Sequence, residues 1–304
     1  MSPFDSTSGV EPKPVEPPKS IQLFTKKVLI ICPWYNVVCP QTAFAIAQLA
    51  DKRRTSAMLN WGDAYVSHSR NSCADNFLKS DLEWALWIDS DMIPPIGNAE
   101  WFRSNTGWAD YPEPFASFNT IDRLMSHNQS LVGGLYFGRH RHSPPVFNEA
   151  AANPQMAEFV TKGPYNEIRP TKWVGTGCLL THRSVFEAIE KKFPYLRRGP
   201  DGRGGHWFSS SEHTAMDSIR RIREHLEGGV LDGNRAHKAY EMALQAEAEA
   251  KAKSSLGMGE DVTFAMRARD AGFQSYVDLG LICGHIGSHC YGPRDYSPRP
   301  LKSL

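Results

Sequence analysis

The chain lacks any apolar run of about 18 residues, the length that spans a bilayer, and its start does not follow the basic-then-apolar pattern of a secretion signal. From those absences a soluble, cytoplasmic protein is expected. Neither sign of charge is in excess: 34 Lys and Arg meet 33 Asp and Glu, a formal +1. A balance that close removes any global electrostatic argument for a nucleic acid or membrane partner. Cysteine is sparse and has no framework spacing, with Cys32, Cys39, Cys73, Cys178, Cys283 and Cys290 scattered through apolar or loop contexts. That excludes a disulfide scaffold and predicts mostly buried thiols in a reducing compartment. At 304 residues the chain has material for one large α/β domain or two small ones.

The most informative stretch that is present is Trp84-Ala85-Leu86-Trp87-Ile88-Asp89-Ser90-Asp91. Apolar residues on consecutive positions need both faces covered, so 84–89 is expected to be a central strand of an α/β sheet, ended by Pro94-Pro95. Such sheets bind ligands beyond the carboxyl ends of their strands, where Asp89 and Asp91 fall. Two hard oxygen donors there suit Mg²⁺ or Mn²⁺ carrying a diphosphate. The plainer reading is a solvated turn, because Asp-x-Asp alone is common. Around this strand the pattern alternates: strand 27–32, helix 41–52, strand 56–61, helix 69–80. Alternation predicts parallel pairing with helices on both faces. Residues 1–20, dense in Pro, Ser, Glu and Lys, are expected to be a disordered leader.

Further on, 259–273 reads as a helix with Glu260 and Asp261 in its first turn. Val262, Phe264, Ala265, Met266 and Ala268 give it a buried stripe, and Gly272 ends it. The acids could serve only the helix dipole. A short strand is expected over Ser275 to Asp278, and beyond it His285 lies between Gly284 and Gly287, where backbone approaches something closely. Cys283, His285, His289 and Cys290 offer a competing zinc set, although their spacing fits no familiar finger.

Taken in order, these motifs resemble the nucleotide-sugar-dependent glycosyltransferases of the A-type fold, near their family-2-like group. Lys27 to Cys32 resembles the first strand, ending at Pro33-Trp34-Tyr35 where the nucleotide loop begins. Ser69-Arg70-Asn71 opens the helix before the Asp-Ser-Asp strand; Leu131 to Tyr136 and Trp173 to Leu180 resemble later core strands. The likeness covers residues 26–290. It implies a Rossmann-like, mixed but mostly parallel sheet with helices on both faces, plus a helical insertion. The expected divisions are the leader 1–20, a nucleotide-sugar-binding core 21–196, an insertion 197–258, a catalytic segment 259–292 and a Pro-rich tail 293–304.

Carried over residue by residue, the resemblance makes Asp91 a direct metal ligand, Asp89 a ligand or ribose contact, and His285 the third ligand. The ion would be Mn²⁺ or Mg²⁺. Asp261, or else Glu260, would be the general base toward the acceptor hydroxyl. Pro33, Tyr35, Arg70, Asn71, Asp89, Ser90 and Arg139 would lie along a nucleoside-diphosphate sugar, a UDP-sugar by family weighting. One carboxylate on the acceptor side suits direct displacement with inversion. The acceptor is open between a glycan, a hydroxymethylated DNA base and a protein side chain. The local basic clusters at 139–142, 197–203 and 220–223 give the DNA option a footprint. Rival readings are a noncatalytic sugar-nucleotide-binding module and a nucleotidyltransferase. The latter wants a Gly-rich basic loop after the first strand, where this chain has Pro33-Trp34-Tyr35-Asn36.

Three stretches keep two readings each. Trp101, Phe102, Trp108, Tyr111, Phe115 and Phe118, in an excursion over 97–125 read as loop-rich, either seal the sheet edge or line a sugar cleft. Arg139 and Arg141 belong to a solvated basic loop or pair with phosphate oxygens. The insertion, with helices expected at about 212–227 and 234–253, is a lid over the acceptor side or an oligomerising hairpin.

Overall fold

A computed structural model describes residues 28–34, 36–50, 55–61, 66–139, 145–147, 166–193, 196, 205–209 and 259–295, with single positions between 234 and 248. Strands β1 (Val28–Trp34), β2 (Thr55–Trp61) and β3 (Trp84–Ile88) alternate with helices α1 (Pro40–Leu49) and α2 (Val66–Lys79). β1 pairs in parallel with both β2 and β3. The apolar run of β3 is explained by its two covers. Trp84, Leu86 and Ile88 face a cluster with Ile46 and Leu49 of α1. Ala85 and Trp87 face another with Cys73 and Phe77 of α2.

Beyond β3 come β4 (Met92–Ile93), α3 (Ala99–Thr106), α4 (Glu113–Ala116), α5 (Thr120–Ser126) and β5 (Leu131–Leu135). Then follow β6 (Ile168–Thr171), β7 (Cys178–His182), α6 (Arg183–Lys192), α7 (Glu260–Asp270), β8 (Ser275–Ile282), β9 (Gly284–Ile286) and β10 (Cys290–Tyr291). The main sheet has seven strands in the order β2-β1-β3-β7-β5-β8-β6, and a small sheet is ordered β10-β9-β4. Antiparallel pairing reverses β7 against β3 and β5, and β6 against β8, so the sheet is mixed with most strands pointing one way. Helices cover both faces, as alternation predicts: α1 and α5 on one, α2, α6 and α7 on the other.

Several elements differ from expectation. β3 stops at Ile88, ahead of Pro94-Pro95, because Asp89-Ser90-Asp91 turns the chain into β4. The excursion 97–125 contains three helices, two of them opened by asparagine caps: Asn98 accepts the Trp101 N–H, and Asn119 those of Ile121 and Asp122. The stretch Trp173 to Leu180 is a strand only from Cys178 onward. β8 runs past Asp278 to Ile282. The leader 1–20 and the expected helix 212–227 lie outside the described residues, while described positions between 234 and 248 are helical and exposed. Residues 205–209, expected in the insertion, belong to the core: Trp207 and Phe208 are buried, and Phe208 stacks on Phe264 with ring centroids 4.4 Å apart. All six cysteines are free thiols, and Cys32, Cys73, Cys178 and Cys283 are buried. No helix among the described residues is long and apolar enough to cross a membrane.

The longer β8 is made possible by a bulge at its fully buried acid. Gly134 pairs with Asp278, but the next residue, Leu135, pairs with Ile282. The amides of Gly280 and Leu281, freed from the ladder, donate to Asp278 Oδ1 at 2.9 and 3.2 Å. Arg123 Nε and His127 Nε2 both donate to Oδ2 at 2.6 Å. Burial alone would raise this carboxyl, but His127 and Arg123 outweigh it and hold it below the usual range. Its contribution to stability is therefore present above the ordinary carboxylate range and is lost as pH falls through the lowered folded value. Asp278→Asn is expected to cost about 3–5 kcal/mol in urea unfolding near neutral pH. It should also flatten the acid limb of the stability profile, and an unchanged limb would show that Asp278 is not the acid-sensitive group.

Candidate active site

In an open α/β sheet a crevice forms where successive connections leave a strand in opposite directions. Here α1 carries the chain from β1 to β2 on one side, and α2 returns it to β3 on the other. Asp89-Ser90-Asp91 leaves β3 at that crevice, with its backbone fixed from four directions. Asp89 N–H donates to Gly177 O at 3.0 Å and Met92 N–H to Asp89 O at 3.1 Å. Ser90 O accepts from Cys39 N–H, and Asp91 O from Ile286 N–H, both at 2.8 Å. With the main chain so held, the two carboxylates face different partners.

Asp89 faces Arg70. The Arg70 side chain, 3% exposed, donates from Nη2 to Asp89 Oδ1 at 2.7 Å. Its Nη1 reaches Glu260 Oε1 at 2.8 Å and Asp261 Oδ1 at 2.7 Å. Burial alone would lower the Arg70 pKa, but Asp89, Asp261 and Glu260 outweigh it and the net shift is upward. One guanidinium thus joins the first turn of α7 to the turn after β3. Thr176 Oγ1 also donates to Asp261 Oδ1, at 2.6 Å. Both bonds fall on one oxygen, which leaves Oδ2 of a 22% exposed side chain for another partner.

Asp91 faces His285 and Arg139. His285 Nε2 is 3.5 Å from Asp91 Oδ2, and Arg139 Nη1 is 2.7 Å from the same oxygen. Burial alone would raise the Asp91 carboxyl, but the His285 ring and the Arg139 guanidinium together pull it below its ordinary value. The His285 Nδ1 lies 2.6 Å from Phe137 O. A carbonyl oxygen only accepts, so Nδ1 carries a hydrogen. In the neutral ring Nε2 is then bare, and two acceptors face each other. Either a proton on Nε2 or a cation in the gap resolves that opposition. An ion with bonds of about 2.1 Å holds neighbouring ligand atoms about 3–3.5 Å apart, so the pair fits one. The other carboxylate of the expected set, Asp89, is turned to Arg70, and no three metal-ligating side chains converge among the described residues. The alternative zinc set does not assemble there either: His289 Nε2 bonds Asp295 Oδ1 at 2.8 Å, and Cys283 is buried next to Cys178.

The remaining expected residues divide. Pro33 is buried at the end of β1, and Ser90 contributes its carbonyl to the turn. Tyr35 lies outside the described residues. Asn71 is fully buried, its amide spent on Ser209 Oγ at 2.8 Å and Phe208 N–H at 2.9 Å, so it pins the 205–209 segment. Of the aromatics, Phe102, Trp108 and Tyr111 are core residues, whereas Trp101 stacks on exposed Phe44 with centroids 5.3 Å apart. Two contributors escaped the sequence reading. One is Thr176, whose Gly175-Thr176-Gly177 setting signals close approach: a Cβ on Gly175 would collide with the Tyr136 phenol. The other is Tyr136 itself, which accepts the Gly177 N–H at 3.1 Å and packs edge-on against His285.

Replacing Arg70 by Ala strands three carboxylates around an empty space. Because those acids are partly solvated, the expected loss is about 3 kcal/mol, the low end for a broken buried pair. Urea unfolding of Arg70→Ala measures it, and a cost below about 0.5 kcal/mol, that of an ordinary surface change, would show that the cluster does not hold α7 in place.

No family model matches the chain, and no curated protein does. Among solved structures it is similar to one described as the crystal structure of A197 from STIV, with a TM-score of 0.44 and 12% identity, over 88% of this chain and 91% of that one. A likeness of that size carries no argument about function.

Proposed function

We propose that the chain is a metal-dependent glycosyltransferase of the A-type fold, transferring a sugar from a nucleoside diphosphate to an acceptor hydroxyl. The observation that carries this reading is the Arg70 cluster. It brings Glu260 and Asp261 to Asp89 across one crevice, although they stand 171 and 172 positions further along the sequence. Beside it, Asp91 and His285 form the pair that would hold Mn²⁺ or Mg²⁺. Among the residues of this crevice named above, four carboxylates meet two guanidiniums, a balance that favours a divalent cation.

When bound, the ion would stabilise negative charge on the departing diphosphate as a Lewis acid. The chain's own residues supply the rest. Asp261 has one oxygen fixed by Arg70 and Thr176 and the other available, the arrangement of an oriented general base. As the acceptor oxygen bonds to the sugar's anomeric carbon and the bond to phosphate breaks, the hydroxyl proton passes to Asp261. Attack from the side opposite the diphosphate inverts the anomeric centre. Glu260, 34% exposed and bonded to the same guanidinium, is the second carboxylate within reach. Arg139, whose side chain is exposed beside Asp91, is the residue that would reach the donor's diphosphate, while buried Pro33 and the Ser90 carbonyl would act only by shaping the turns around it. The acceptor is a hydroxyl on a glycan or on a hydroxymethylated DNA base; the basic stretches behind the DNA option at 197–203 and 220–223 lie outside the described residues.

The test is release of nucleotide from UDP-, GDP-, TDP- and CMP-sugars with Mn²⁺ or Mg²⁺, paired with calorimetry of nucleotide binding. One donor should be turned over in a metal-dependent way, and Asp91→Ala should abolish both turnover and metal dependence. Asp261→Asn should keep nucleotide binding but lose about 10²–10⁴-fold in turnover, the usual worth of a general base. Absence of nucleotide binding across the panel, or turnover indifferent to Asp91, would overturn the reading.

A further inference from the structure

The two arginines of the crevice have opposite commitments. Arg70 is buried to 3% exposure and held by three carboxylates, whereas Arg139 has a side chain 56% exposed and a single one, Asp91. With its guanidinium more than half in water, such a pair contributes little to stability. Arg139 Nη1 also occupies Asp91 Oδ2, the oxygen that faces His285 Nε2 and would be shared with an ion between them. Asp91 cannot follow a departing partner far, because its own carbonyl is tied to Ile286 N–H. Arg139 follows Phe137 by two residues, and Phe137 O orients the His285 ring. The segment that follows β5 therefore supplies both the carbonyl that aims Nε2 at Asp91 and the guanidinium that covers Asp91.

We propose that Arg139 is an internal stand-in for the metal: it neutralises Asp91 in the free chain and transfers to the donor's diphosphate when a divalent cation takes Asp91. This rests on the glycosyltransferase reading and goes beyond it by making cation and diphosphate binding cooperative through one residue. A cation on Asp91 Oδ2 expels the guanidinium by like-charge repulsion and by competition for the same lone pairs. The freed guanidinium, a planar fork of donors, matches two phosphate oxygens. By linkage, a diphosphate that captures Arg139 uncovers Asp91 and strengthens cation binding by the same factor. The exchange moves charge without breaking a covalent bond, and Asp91 is never left bare.

The experiment measures two affinities on the full chain and on Arg139→Gln: Mn²⁺ alone, by electron paramagnetic resonance of the free ion, and UDP at saturating Mn²⁺, by calorimetry. Opposite changes are expected. Without its competitor, Mn²⁺ alone should bind about tenfold tighter, while UDP should bind about tenfold weaker, within the usual range of coupling between sites. Arg139→Lys should restore part of both effects. Inorganic pyrophosphate in place of UDP separates the diphosphate from the nucleoside as the captured group, and the effect should persist with it. Mn²⁺ affinity unchanged or weaker in Arg139→Gln overturns the exchange, whatever happens to UDP. If the wild-type chain binds no Mn²⁺ with or without UDP, the glycosyltransferase reading itself has failed and the exchange falls with it. Mn²⁺ binding that vanishes in Asp91→Ala but ignores Arg139 would leave that reading standing and remove only the exchange.

Discussion

A buried positive charge is tolerated only where negative partners replace the water it has lost. Arg70 meets that condition with Asp89, Glu260 and Asp261, and the crevice takes its shape from the requirement. The guanidinium fixes how far the first turn of α7 stands from the end of β3. It also decides which oxygen of Asp261 is occupied, and Thr176 confirms the choice by bonding the same one. Behind α7, Arg267 does comparable work on main chain: fully buried, it donates to the carbonyls of His206, Trp207 and Ser209 and holds that segment against the helix.

The acidity of the crevice is a consequence of this arrangement. Three carboxylates are partly satisfied by Arg70, yet one guanidinium cannot neutralise them all, and Asp91 adds a fourth. The negative field extends into β1, where burial first and Asp89 next push the Cys32 thiol up to about 12. A surplus of this kind attracts positive charge. Arg139 supplies some from within the chain, and a divalent ion between Asp91 and His285 would supply more.

Much of this was legible in the sequence where local pattern and tertiary demand coincide. The unbroken apolar run of β3 and the acid-headed, apolar-striped α7 announce themselves, and Asp91 and His285, paired by the resemblance, stand 3.5 Å apart. Other features were hidden for physical reasons. Asn71 sits one position from Arg70 on α2, but the helix turns it away from the crevice and into the core, a difference of facing that a motif does not display. Asp89 read as a metal ligand because nothing in its neighbourhood reveals an arginine already committed to it. The helices in 97–125 were masked by aromatic and proline density, although Asn98 and Asn119 stand at the cap positions. Trp207 and Phe208 read as part of an insertion because Gly and Arg dominate the residues before them, while the packing uses the aromatics. The bulge at Asp278 depends on a register between β5 and β8 that neither strand encodes alone.

Under the proposed function, Asp91 and His285 share a divalent ion at the edge of the Arg70 cluster. A crystal structure of the chain grown with Mn²⁺ and UDP, with data collected at the manganese edge, tests it most directly. One anomalous peak is expected within bonding distance of Asp91 Oδ2 and His285 Nε2, with Arg139 turned from Asp91 to the diphosphate and Arg70 still on its three carboxylates. A peak elsewhere, or an intact Arg139–Asp91 pair beside bound UDP, would contradict it.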